Sequence, residues 1–272
     1  MHKPHILVAP ETAPRYMLVP GDPGRVPTIG SGWQTYDEIS FNREFRYARG
    51  SIDGVAVGAC STGIGAPSTE IAFMELAAAG SETFVRVGTC AAVQPEIEIG
   101  TLVIHEGAVR LVGSVDAYCE PAFPAIANRD VTFALIEACE QLELTYTVGI
   151  TASTDSFFAG QDNVLPLPLA LPAKVPFAEQ MRSYGVATFE MEAAALFVLG
   201  KLFGRRCGSI CSVGSNRATG ERRGVPEAIG NVIRAANRAV TILAQWDALR
   251  AVHGRANISA SLLAGICGRP QP

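Results

Sequence analysis

The sequence predicts an α/β domain on an at least partly parallel central sheet, and three observations support it. Seven short β-branched runs alternate with five longer amphipathic runs along 272 residues. Three of the strand-like runs end in glycine-rich turns that also carry polar or cationic residues. No repeat of 20 to 50 residues and no change of composition marks a second domain.

The expected strands lie at 16–19, 55–60, 83–87, 101–109, 146–152, 186–190 and 208–213. Helices are expected at 67–79, 130–142, 176–184, 191–203 and 226–252. The first opens on Pro67, with Ser68, Thr69 and Glu70 behind it, and the last opens on Pro226 and Glu227. Residues 165–175 (LPLPLALPAKV) are proline-rich and apolar and read as an ordered loop or flap. The domain is expected to span 1–250, and 251–272 to form a flexible Gly/Ser/Ala-rich tail.

Composition narrows the function classes. The chain is 48% hydrophobic and 18% charged, which excludes a disordered or fibrous protein. With 22 basic against 26 acidic residues and net charge −4, neither a nucleic-acid-coating surface nor a polybasic membrane anchor is expected. Seven scattered cysteines and four histidines make no zinc set, so the cysteines read as buried reduced thiols. The N-terminus has no signal-peptide pattern, and no 18 apolar residues run unbroken, so the chain is expected to be soluble and cytoplasmic.

Of the 27 glycines and 17 prolines, several fall in three segments where strands end. Residues 19–25 (VPGDPGR) expose backbone N–H groups, and Arg25 adds a fork suited to an oxyanion. Residues 61–68 (STGIGAPS) precede a helix, and their glycines allow close approach to the backbone. Residues 86–91 (RVGTCA) read as a third turn, where Arg86 and Thr89 suit phosphate oxygens. None is a P-loop or a dinucleotide fingerprint. Three such turns at strand ends, two with arginines, point to a phosphate or anion site. Glu190 and Glu192 flank Met191 where a strand gives way to a helix. They read either as ligands for vicinal hydroxyls or as charge complementing the helix N-terminus. Two acids that close rarely straddle a scissile glycosidic bond.

Together these segments resemble the nucleoside phosphorylase family: VPGDPGR (19–25), NREF (42–45), CSTGIGAPS (60–68), RVGT (86–89) and FEME (189–192). TASTDSFFAGQ (151–161) and SNR (215–217) are most similar to its uridine-type members, and the resemblance runs in consistent order over roughly residues 5–250. It implies a single-domain, three-layer α/β/α fold with a mixed, partly barrel-like sheet, and a pentosyltransferase that salvages nucleosides. It places phosphate on Gly21, Arg25, Arg86 and Thr89, with Arg43 lent by a neighbouring subunit. Met191 and Glu192 match the ribose contacts, and His5 resembles a histidine that a partner offers to the 5′-hydroxyl, two residues closer to Gly21 than usual. Phe157 matches the aromatic on the base, Gln161 the amide reading its edge, and Asn216 and Arg217 further donors to it. Arg86, Gln161 and Glu192 are the residues expected to carry catalysis, and Arg86→Ala is expected to abolish it with little loss of fold.

The resemblance also implies inorganic phosphate as co-substrate and no organic cofactor. Glu44, Ile64 and Ser68 match positions that hold a monovalent cation such as K+ at a dimer interface. The implied assembly is a homo-oligomer sharing active sites across a dimer, as a hexamer built from three dimers, with no nucleic-acid or membrane partner. Two positions depart from the pattern. Asn42 stands where relatives have histidine, and Asn163 where uridine-type members have arginine, which removes a positive charge from the base pocket. Uridine is the expected substrate. Another nucleoside, such as a 6-oxopurine, and non-catalytic nucleoside binding are the alternatives.

Overall fold

A computed structural model describes residues 4–169 and 175–264. Its strands are β1 (Tyr16–Val19), β2 (Thr35–Asn42), β3 (Phe45–Ile52), β4 (Val55–Cys60), β5 (Thr83–Ala92), β6 (Leu102–Leu111), β7 (Ala125–Ile126), β8 (Tyr146–Thr154), β9 (Thr188–Glu190) and β10 (Arg206–Asn216). Its helices are α1 (Arg25–Gly30), α2 (Ala66–Ala78), α3 (Arg129–Gln141), α4 (Phe177–Ser183), α5 (Ala193–Leu202), α6 (Pro226–His253) and α7 (Ala260–Ala264). Each of the twelve runs expected from sequence is present. The sequence did not foresee α1, α7, β7 or the hairpin formed by β2 and β3.

The sheet is mixed and partly closed. β5 pairs in parallel with β10, β10 antiparallel with β6, β6 parallel with β8, β8 parallel with β9, and β9 antiparallel with β5 again. Those five strands form a barrel-like ring. From β5 the sheet extends outward through β1, β4, β3 and β2. The arrangement is the α/β fold with a partly barrel-like sheet that the motifs imply.

Strands buried on both faces explain the unbroken apolar runs. Tyr16 and Leu18 of β1 face a core completed by Val131 and Leu135 of α3 and Val232 and Ala236 of α6. Met17 and Val19 face the other way, toward Phe73 and Leu76 of α2 and Leu196 and Phe197 of α5. Helices thus cover both sides of the sheet, giving three layers. The helix ends are marked locally: the Asn128 side chain accepts from the N–H groups of Asp130 and Val131 at α3, and Gly254, at φ +59°, closes α6.

Residues expected as a tail from 251 begin inside α6, and Ile258 and Leu263 pack against the first core. Residues 265–272, including Cys267, lie outside the described residues, as do 170–174 of the proline-rich segment. Leu167 and Leu169 of that segment are exposed. Of the six described cysteines, all free, five are buried and Cys119 is half-buried. His105 is buried in a hydrogen-bonded role, its ring nitrogens 2.9 Å from Ser209 Oγ and Thr188 Oγ1. Among the described residues no group of three or more His, Cys, Asp or Glu could hold a metal ion, and no helix is long and apolar enough to cross a membrane.

Candidate active site

The site opens where the sheet forks. β1 keeps register with β5 as far as Val19 opposite Arg86, and β9 joins that side of β5 only at Ala91. Between those points β5 has no partner on that side. An open α/β sheet binds its ligands at such a divergence. A cavity of about 1020 Å³ lies there, roofed by the loops after β1 and β4.

The loops approach closely because glycine permits it. Thr62 N–H donates to Pro20 O (2.8 Å), and a Cβ on Gly21 would lie 3.1 Å from Gly63 O. Gly63 itself has φ +71°, a conformation that favours glycine. The third expected turn is corrected. Residues 86–91 continue β5 through Ala92, since β10 pairs with it along ten residues, and Gly88 is a strand residue. Its absent side chain is still needed: a Cβ there would sit 2.6 Å from Cys211 Sγ and 2.9 Å from the Arg86 guanidinium.

Arg86 is buried, its side chain 5% exposed, and held by both carboxylates of the FEME segment. Its Nε donates to Glu190 Oε2 at 2.8 Å and its Nη2 to Glu192 Oε2 at 2.6 Å. Glu190 Oε2 also accepts the N–H groups of Glu192 and Ala193 at 2.8 Å each, while its Oε1 accepts from Ser153 Oγ. One carboxylate therefore satisfies orphan N–H groups at the start of α5 and fixes the arginine. Of the two sequence readings of Glu190, hydroxyl ligand or charge complementing the helix N-terminus, the structure shows the second, and its pairing with Arg86 is what the sequence did not foresee. The signal for the second reading was an acid directly before a helix start that has no side-chain cap of its own.

Glu192 faces the cavity from the other side. Its Oε1 accepts the N–H of Gly65 at 2.6 Å, at the start of α2. Burial, then Glu190, push the Glu192 carboxyl above the ordinary carboxylate range, with Arg86 opposing them. Burial by itself would lower Arg86, but Glu192 and Glu190 outweigh it and raise its pKa. Arg25 is different. The one hydrogen bond its guanidinium makes to the chain is a long one, Nη1 to Val87 O at 3.3 Å, and among the described residues no carboxylate pairs with it. Burial and then the Arg86 cation lower its pKa. A half-buried guanidinium beside a second one, with Gly21 and Thr89 bordering the same cavity, has the donors and charge that suit an anion.

Most expected ligands meet at this cavity: Gly21, Arg25, Arg86, Thr89, Met191, Glu192, Phe157, Gln161 and Arg217 all border it. Phe157 is 44% exposed, and Gln161 is buried with Nε2 donating to Thr154 Oγ1 (3.0 Å). Glu44, Ile64 and Ser68 cluster at its rim, where Ser68 Oγ donates to Ile64 O (3.1 Å) and a Cβ on Gly63 would touch Glu44.

Four expected residues lie elsewhere. Arg43 is exposed at the tip of the β2–β3 hairpin, at φ +57°, and does not line the cavity of its own chain. His5 lies off the cavity too, its Nδ1 2.7 Å from Glu75 Oε1. Asn216 is corrected as a base ligand. Its Nδ2 donates to Gln94 O and Ile97 O, and its Oδ1 accepts from Ala218 and Thr219 N–H, so its hydrogen-bonding capacity is spent on the chain. Asn163 holds the Phe157 loop and touches Arg222, a cavity residue that the sequence did not single out.

A family model described as Phosphorylase superfamily matches residues 15–246. The chain is 46% identical to a uridine phosphorylase from Thermococcus kodakarensis over 248 residues, 89% of this chain and 87% of that one. It is 38% identical to a uridine phosphorylase from Escherichia coli over 205 residues, covering 75% and 81% of the two chains. A guanosine phosphorylase from Halorubrum lacusprofundi is 34% identical over 222 residues, 82% of this chain and 87% of that one.

Proposed function

Because the chain belongs to the phosphorylase superfamily, we propose that it cleaves uridine with inorganic phosphate, giving uracil and ribose 1-phosphate. The observation that carries this reading is the pair of guanidiniums at the sheet fork, with Arg86 locked to two carboxylates and Arg25 left to an anion. A hydrolase has no use for such an anion site.

Phosphate binds to Arg25, Arg86, Thr89 and the backbone at Gly21, beneath C1′ of the nucleoside. One phosphate oxygen forms a bond to C1′ as the C1′–N1 bond breaks, its electron pair leaving with the base. The base departs as an anion and takes its proton from water. Positioning and charge are what the protein supplies, through an oxocarbenium-like transition state. Glu192 accepts the vicinal ribose hydroxyls; each of its oxygens has a second lone pair beyond the bonds to Gly65 and Arg86. Met191 packs on the ribose, Phe157 on the base, and Gln161 and Arg217 face the base edge.

Arg43 and His5, which lie off their own cavity, belong to the site of a second copy in this reading, so the working unit is a dimer within a homo-oligomer. Glu44, Ile64 and Ser68 offer a carboxylate, a carbonyl and a hydroxyl. Three oxygen donors fit half the shell of a monovalent cation, and the same set from a second copy completes it. The reaction recovers free base for nucleotide salvage in the cytoplasm. A 6-oxopurine nucleoside is the second substrate reading, supported by the resemblance to a guanosine phosphorylase.

The test is base release from uridine, thymidine and inosine, each with and without phosphate. The reading expects uracil from uridine only when phosphate is present. Release without phosphate would make the chain a hydrolase. Binding without any turnover would make it a nucleoside-binding protein.

A further inference from the structure

A site that expels a base as an anion needs positive charge where that anion forms. The end of the cavity bordered by Phe157 and Gln161 holds two guanidiniums, Arg217 and Arg222. Both come from one loop. After β10 the chain turns through Gly220, with Asn216 N–H donating to Glu221 O (2.9 Å) and Arg223 N–H to Gly214 O (3.2 Å). The return brings Arg222 into antiparallel pairing with Ser215.

The facing loop holds these side chains. Arg217 Nε donates to Gln161 O (3.1 Å), and Arg222 Nη2 donates to Asn163 Oδ1 (2.9 Å). Asn163 is fixed in turn, its backbone N–H donating to Phe158 O at 2.9 Å and its amide to Phe157 O. The hydrogen-bond acceptors of both arginines are neutral, so the bonds orient the guanidiniums without cancelling their charge. Among the described residues neither arginine forms an ion pair, whereas the next one, Arg223, approaches Glu221 at 3.8 Å. Asp162 is the carboxylate felt by Arg217, and its Oδ2 already accepts the Ala178 N–H at 2.6 Å.

We infer that Arg222, clasped by Asn163, is a specificity-determining residue for the leaving base: with Arg217 it selects nucleosides whose base departs as an anion with carbonyl oxygens along its edge, the pyrimidine-2,4-diones. This rests on the phosphorolysis reading above. The change at Asn163 therefore does not discharge the base pocket. The asparagine is the acceptor that aims a cation supplied by the opposite loop.

The experiment compares uridine with 5-fluorouridine, whose base is the more acidic leaving group and needs less help from a cation. Arg222→Gln should lower kcat/KM for uridine about tenfold to a hundredfold, and lower it several-fold less for 5-fluorouridine. KM for phosphate and Tm should stay at the parent values, and Arg222→Lys should recover part of the loss. Unchanged kcat/KM for uridine in Arg222→Gln would overturn the inference. So would an equal loss on both nucleosides, the mark of a merely structural residue. A parent protein inactive on uridine would instead overturn the phosphorolysis reading itself.

Discussion

Replacing Arg86 by alanine removes the one guanidinium that holds Glu190 and Glu192 in a closed site. Glu190 keeps the N–H groups of Glu192 and Ala193 and the Ser153 hydroxyl, while Glu192 keeps only the Gly65 N–H among its charge-stabilising contacts. Two buried carboxylates then face each other with no cation hydrogen-bonded to either. Breaking a buried ion pair from one side costs about 3–5 kcal/mol, roughly 6–20 °C in Tm for a domain of this size. The expectation that Arg86→Ala would spare the fold does not survive this geometry. The pH dependence has a definite sign. The Glu192 carboxyl already lies above its ordinary range, and Arg86 opposes that shift. Losing the arginine raises it further, so the folded variant holds a proton more tightly than the unfolded chain. Stability is then retained at low pH and lost as pH rises through the folded pKa. Thermal melts of parent and variant at pH 5 and pH 8 should show the larger gap at pH 8. Phosphorolysis by the variant should be abolished at both. A variant melting within about 2 °C of the parent at pH 8 would refute the buried network.

Arg25→Gln should behave in the opposite way. Its guanidinium makes one 3.3 Å hydrogen bond to the chain, so Tm should hold. KM for phosphate should rise about tenfold to a hundredfold, as for loss of one charged hydrogen bond; an unchanged KM would show that phosphate binds elsewhere. Asp247 supplies a prediction far from the site. Burial would raise its carboxyl, but hydrogen bonds from Arg206 and Tyr16 prevail and pull it down to about 2. A depressed carboxyl contributes stability above its unfolded pKa and loses it as pH falls through the folded value. The contribution is roughly 2 kcal/mol, lost between about pH 4 and pH 2. Urea unfolding should find Asp247→Asn less stable at pH 7, with the gap to the parent narrowing over that range; a constant gap would contradict the assignment.

The fold was legible wherever burial wrote a pattern. β1 and β4 match their expected ranges residue for residue because apolar side chains pack on both faces of the sheet. The β2–β3 hairpin was not legible. β2 is almost wholly exposed, with Ile39 and Phe41 turned to solvent rather than to a core, and its turn uses Arg43 at positive φ where a glycine would have announced it. Gly88 misled in the other direction. It sits inside β5 to make room for Cys211 and Arg86, and only the ten-residue pairing with β10 reveals that the strand continues.

In the site, the phosphate-side residues were readable because the chemistry dictates their type, and Arg25 and Arg86 do converge on one cavity. Partnerships were not readable. Nothing local shows that Asn216 spends its amide on Gln94 and Ile97, that Glu190 fixes Arg86, or that Asn163 receives Arg222 from 59 residues away. Each depends on loops brought together by the closed part of the sheet.

In the proposed reaction phosphate, not water, attacks C1′ at the fork between β1 and β9. Phosphorus NMR of a reaction holding uridine and inorganic phosphate tests it most directly. A ribose 1-phosphate signal should grow in step with uracil, one for one. Uracil released alongside free ribose, with the phosphate signal undiminished, would contradict attack by phosphate.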